Sequence, residues 1–175
     1  MQVTLIATSA PLHFMKESNE NVKVLFICVH NSARSQIAEE YLKRLGEGKF
    51  EAESAGFEPE QINSLVLEVM KEDGFDLTKK KTQDAWDLFR AGKFFHFVIT
   101  VCDREHEKRC PIYPKPFAKL YWPFPEPENF TGTHEEKLEQ MRNLRDTIKK
   151  RVAQIRRRNK WLFTRIKIIQ PWNTF

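Results

Sequence analysis

A chain of 175 residues, 41% hydrophobic and 30% charged, has the length of one domain and the composition of a water-exposed globular protein. No apolar run approaches the ~20 residues that cross a bilayer, and three cysteines are too few for a disulfide scaffold and lack zinc-finger spacing. A membrane-spanning or disulfide-stapled secreted protein is therefore excluded, a reducing cytoplasmic setting is expected, and the net charge of +5 says little about the fold: Lys149 to Lys167 holds nine basic residues and no acidic one, leaving 20 basic against 24 acidic elsewhere. No nucleic-acid partner is expected for such a mildly acidic body.

Residues 1–21 lack the basic start of a secretory signal, and their apolar part, Val3 to Ala7, is shorter than the ~7–15 residues of a signal core. A loose extension is expected there. Val24 to Ile27 are β-prone and lead into Cys28, while Gln36 to Leu45 has helical spacing with Ser35 where a helix cap belongs. The loop between strand and helix should aim backbone N–H groups and the positive end of a helix dipole at whatever lies above Cys28. A thiolate is the attacking form of cysteine, and a helix N-terminus with a nearby guanidinium favours it. Arg34, six positions on, offers a planar fork that suits a tetrahedral oxyanion such as phosphate. On spacing alone, a buried strand-end cysteine beside a surface arginine is an equal account.

Phe50 to Ser54 alternates apolar and polar before Ala55-Gly56, a second short strand entering a turn. Asn63 should cap a helix through about Glu72, with Leu65, Val66, Val69 and Met70 on one face. Thr82 to Gly92 reads as a further helix stopped by its glycine. Phe94 to Val101 is the most apolar, β-branched run and predicts a central strand buried on both faces, ending at Cys102. Asp103 to Arg109 is then a loop or short helix, Ala118 to Trp122 a fourth strand, and Pro123, Pro125 and Pro127 stiffen the loop after it. From about His134 to Arg158, apolar residues at Leu138, Met141, Leu144, Ile148, Val152 and Ile155 repeat at three or four and predict a long helix.

Strands alternating with helices imply a parallel, doubly wound sheet, and ligands of such sheets bind at the C-terminal ends of the strands. Cys28, Cys102 and the Pro123–Glu128 loop all follow strands on that edge, so three separate stretches converge on one site.

Cys28-x5-Arg34-Ser35 directly after an N-proximal strand resembles the active-site loop of the low-molecular-weight protein tyrosine phosphatase superfamily, and Val29-His-Asn-Ser-Ala-Arg-Ser-Gln36 resembles its arsenate reductase branch. The resemblance runs from about Lys23 to about Ile155. It implies an α/β, flavodoxin-like fold of three layers, a four-stranded parallel sheet with helices on both faces, over residues 22–156, with 157–175 as a basic, aromatic tail. It also implies that His30, Asn31, Ser32, Ala33, Arg34 and Ser35 form the oxyanion loop, with Asn31 bracing it and Ser35 donating to the thiolate. The His30 side chain is expected to point away from an anion held by the loop's backbone.

A phosphatase needs one cysteine; a reductase that passes two electrons from thiols to an oxyanion needs further thiols to take up the disulfide. Thr100-Val-Cys102 to Cys110-Pro resembles the redox loop of the thioredoxin-coupled arsenate reductases. The resemblance implies that Cys28 attacks arsenate, Cys102 attacks Cys28 and expels arsenite, Cys110 attacks Cys102, and thioredoxin reduces the final pair. If residues 102–110 are helical when reduced, their ends lie roughly 12 Å apart, whereas a disulfide needs Cα atoms within about 4.4–6.8 Å, so the segment would unwind on oxidation. The alternatives are Cys102 as core filler with Cys110 an incidental thiol, and a small phosphotyrosine phosphatase acting through a cysteinyl-phosphate.

Where the family carries an aspartate before proline as general acid, this chain has Glu126-Pro127, one methylene longer. In some thioredoxin-coupled reductases a potassium ion sits behind the loop, and the matching positions here are Asn31, Glu39, Ser54 and Asp84, all with oxygen ligands. No tightly bound cofactor is otherwise expected, and the resemblance leads to a monomer.

Overall fold

The computed structural model describes residues 21–102 and 118–157. Expectations for residues 1–20, for 103–117 with Cys110, and for the tail from 158 onward lie outside the described residues.

In chain order the elements are β1 (Val22–Cys28), α1 (Arg34–Leu45), β2 (Phe50–Gly56), α2 (Ser64–Glu72), α3 (Ala85–Arg90), β3 (Phe97–Thr100), β4 (Ala118–Tyr121), a 3-10 turn (Pro127–Asn129) and α4 (His134–Arg157). The four strands form one sheet in the order β2-β1-β3-β4, with every pair parallel. Because successive side chains of a strand face opposite sides, Val24, Phe26 and Cys28 join one core and Leu25 and Ile27 another. The first core is closed by Ile37 and Tyr41 of α1, Val66 and Met70 of α2, and Met141, Ile148 and Val152 of α4. The second is closed by Ala85 and Leu88 of α3 together with Phe95. These are the three layers expected from the alternating pattern. Among the described residues no helix is long and apolar enough to cross a membrane.

Asn63 caps α2 as its residue type predicts, accepting from the Leu65 amide at 2.9 Å. The six apolar positions of α4 are all buried.

Several boundaries differ from the sequence reading. β2 runs on through Ala55 to Gly56, which the sequence reads as a turn, because Gly56 still pairs with Cys28. The Thr82–Gly92 helix contracts to Ala85–Arg90: Asp84 is its cap, and the backbone of Gln83 bonds instead to Gly56 and to the Asn31 side chain. Gly92, at φ +70, does mark its end, in a left-handed conformation that glycine adopts without strain. The central strand begins at Phe97, not Phe94, whose ring is half exposed before the chain enters the sheet.

Candidate active site

Cys28 is the last residue of β1, an interior strand, and its side chain is buried. The chain turns after it through Asn31, whose φ of +52 is a left-handed conformation that asparagine tolerates better than most residues. That turn brings the Asn31 amide back to donate to the Cys28 sulfur at 3.1 Å. The Ser35 hydroxyl lies 2.9 Å from the same sulfur and accepts from Asn31 Nδ2 at 2.9 Å, so its own proton is available to the sulfur. Once Cys28 is a thiolate, which can only accept, Asn31 N–H and Ser35 O–H are its two donors. Ser35 is not the helix cap that its residue type suggests: α1 starts at Arg34, Ala33 holds the cap position with no side-chain bond, and Ser35 sits inside the first turn.

The loop is held by its carbonyls. Val29 O accepts from Phe57 and Glu58, His30 O from Glu60, and Ser32 O from Asn63. In a trans peptide the N–H points opposite to the C=O, so the amides of His30, Asn31 and Ala33 turn away from these partners, and that of Asn31 meets the sulfur. N–H groups at a helix start suit an anion. Ser32 and Ala33 hold the loop in place through their carbonyls, which accept from Asn63 and Ile37.

Arg34 is 2% exposed, although a guanidinium on a first helical turn could equally reach solvent. It crosses to the loop after β4, donating to the carbonyl of Phe124 at 3.4 Å and ion-pairing with the Glu126 carboxylate. Burial pushes the Glu126 carboxyl above the ordinary glutamate range, against the opposing pull of Arg34. Glu126 therefore reaches the site despite replacing a shorter acid.

The His30 ring is turned out of the cradle. Its Nδ1 lies 3.2 Å from the Glu58 carbonyl and 3.3 Å from Glu60, and its Nε2 lies 3.7 Å from Glu128.

Behind the loop, Asn31 spends its whole bonding capacity. It donates to Ser35 and Ser54 and accepts from Gln36 and from the Gln83 amide. Ser54 in turn donates to Glu39 at 2.6 Å. Three of the four positions expected to hold potassium are therefore one connected chain, Asn31–Ser54–Glu39. The residues nonetheless do not fit a bound ion: Glu39 is already paired with two ammonium groups, Lys80 at 2.8 Å and Lys43 on the next turn of α1. Asp84 directs its carboxylate to the Trp86 amide as the cap of α3. Among the described residues no group of three or more acidic, histidine or cysteine side chains could hold a metal.

Cys102 is fully buried two residues past the end of β3, its sulfur 3.9 Å from the carbonyl of Ile27, the residue before Cys28. Val101 N donates to that same carbonyl. The two cysteines thus leave adjacent strands on the same sheet edge, as the strand pattern predicts. Cys110 lies outside the described residues.

Several contributors escape the sequence reading. A Cβ on Gly56 would stand 2.6 Å from Val29 O and 2.7 Å from Asn31 N, so only glycine lets the loop backbone pass. Its signal, the Ser54-Ala55-Gly56 run, is visible but reads as a turn. Gln83 and Lys80 come from the stretch before α3, and nothing in their local sequence announces a partner 52 or 41 residues away.

Thiol, guanidinium and carboxyl gathered over one amide-lined loop define a thiol-dependent enzyme of tetrahedral oxyanions. The family model for low molecular weight phosphotyrosine protein phosphatases matches residues 23–161, and the chain belongs to that family. Within it, the chain is 35% identical over 133 residues to an arsenate reductase of Halalkalibacterium halodurans, covering 75% of this chain and 94% of that one. It is 33% identical over 135 residues to an arsenate reductase of Bacillus subtilis, covering 77% and 95%. Among solved structures, an arsenate reductase in the phosphate-binding state superposes with a TM-score of 0.59 at 27% identity, covering 77% of this chain and 95% of that one. A thioredoxin-dependent arsenate reductase of Corynebacterium glutamicum gives 0.51 at 30% identity, covering 75% and 61%.

Proposed function

We propose that the protein reduces arsenate to arsenite through a relay of Cys28, Cys102 and Cys110. The observation that carries this reading is the second thiol: Cys102 is buried against the backbone that leads into Cys28, where a hydrolase has no use for it. The loop amides and Arg34 hold the anion, and the Cys28 thiolate attacks arsenic. An oxygen leaves as water, with Glu126 as the proton source, and a sulfur–arsenic bond remains. The Cys102 thiolate then attacks the Cys28 sulfur; the sulfur–arsenic electron pair stays on arsenic, which leaves as arsenite, and a Cys28–Cys102 disulfide forms. Cys110 displaces Cys28 to give Cys102–Cys110, and an external dithiol of the thioredoxin class supplies the two electrons that restore the start. Such a cycle belongs in a reducing, cytoplasmic setting and needs one copy of the chain.

The test is arsenate turnover with thioredoxin, thioredoxin reductase and NADPH for wild type, Cys102→Ser and Cys110→Ser. Both substitutions are expected to abolish turnover, and equal rates in all three proteins would rule the relay out. A second reading, hydrolysis of phosphomonoesters through a cysteinyl-phosphate, draws support from Glu126, whose burial beside the loop favours the protonated form that a leaving-group acid needs. Hydrolysis of p-nitrophenyl phosphate with no arsenate turnover would favour it.

A further inference from the structure

Glu126 is useful only while it stays over the loop, and the contact that holds it there is the one a substrate competes for. Arg34 pairs with Glu126 in the structure, yet an oxyanion in the cradle draws on the same guanidinium. A second connection does not involve the cradle. Glu128 lies in the short turn that starts immediately after Glu126, and its carboxylate faces His30 Nε2 at 3.7 Å. His30 is itself anchored: its carbonyl accepts from the Glu60 amide at 2.9 Å, and its Nδ1 lies between the Glu58 carbonyl and the Glu60 carboxylate. The ring thus joins the catalytic loop and the 57–63 segment, on one side, to the acid-bearing turn on the other.

We infer that His30 is a positioning residue, which ties the Glu126-bearing turn to the catalytic loop when the oxyanion has taken Arg34. The role rests on the oxyanion chemistry proposed above, but the tether itself is a mechanical claim. The carboxylates of Glu60 and Glu128 are more than half exposed, and Nε2 pairs with Glu128 only when both ring nitrogens carry protons, so the connection is a weak one. Its loss is expected to lower kcat about three- to fivefold, the rate equivalent of a surface ion pair, with KM for arsenate little changed.

Two readouts test it. The amides of Asn129 and Phe130 bond within the turn, to Glu126 O and Pro127 O, and report whether it is held. With saturating inorganic phosphate, His30→Ala and Glu128→Gln are each expected to speed hydrogen exchange at Asn129 and Phe130 while leaving β2 unchanged, and the double variant to add nothing. Unchanged exchange in both single variants, or effects that multiply in the double variant, would overturn the tether. In arsenate turnover, His30→Ala is expected to lower kcat in the wild-type background and have no effect in Glu126→Gln, with His30→Gln restoring part of the rate. An equal drop in both backgrounds would show that His30 acts on something other than Glu126. Absence of arsenate turnover in the wild type would sink the proposed function alone, and the exchange measurement would still decide the tether.

Discussion

Glu126 and Arg34 are 92 residues apart in sequence and form an ion pair at the mouth of the Cys28 loop, with the carboxyl pushed above its ordinary range by burial. The raised value keeps a larger share of Glu126 protonated toward neutral pH, the form that can donate. That share falls as the pH rises through the raised pKa. The kcat/KM of arsenate reduction is therefore expected to decline on the alkaline side through Glu126. Glu126→Gln should lower it on the order of a hundredfold and remove that limb. An alkaline limb that survives the substitution would assign it to another group.

Gly56 predicts a second outcome. The methyl group of Gly56→Ala would have to displace Val29 O and Asn31 N, backbone atoms of the loop. Overpacking of this kind costs about 1–3 kcal/mol, readable by urea denaturation. The Asn31 amide would move off the sulfur, so alkylation of Cys28 by iodoacetamide should change in the same variant. A change in stability with unaltered alkylation would mean that the loop tolerates the shift.

Lys80 and Lys43 already neutralise the carboxylate behind the loop. Replacing potassium by tetramethylammonium at constant ionic strength is therefore expected to leave turnover unchanged. In Lys80→Met the Glu39 Oε2 atom loses its ammonium partner, and turnover should fall and become responsive to potassium. A severalfold stimulation of the wild type by potassium would contradict the pairing.

Asp73 joins three helices: it caps α2, accepts from Tyr41 of α1, and pairs with Lys149 of α4 at 2.7 Å. The hydrogen bond from Lys149, and then that from Tyr41, hold its carboxyl below the ordinary aspartate range. A depressed folded pKa contributes stability that is present above the unfolded value, near 3.8, and is lost as pH falls through the folded one. Lys149→Met should cost about 0.5–1 kcal/mol at pH 7, a value kept small by the half-exposed lysine. In denaturation series the gap between variant and wild type should close below about pH 4. A gap independent of pH would place the lysine's effect in packing against the Tyr41 ring, 5.2 Å away.

What the sequence determined by itself was local and periodic. The apolar runs, their spacing and the break at Cys28 were enough for parallel layers and for a thiol loop at a strand end, since side-chain alternation and helical repeat are properties of a few neighbouring residues. Cys28, Asn31, Arg34 and Ser35 were legible because one loop carries them all. The tertiary structure decided what those residues meet. Of the two accounts open for Ser35, helix cap and donor to the sulfur, the fold keeps the second; Glu39, Ser54 and Asp84, which the resemblance offers as ligands for a cation, meet other partners, Glu39 two lysines and Asp84 the start of a helix. His30 reaches Glu128 only because the turn after β4 folds back across the loop. Partners of that kind come from strands brought side by side by sheet register, and no local pattern in the chain encodes which distant side chain a carboxylate or an imidazole will find.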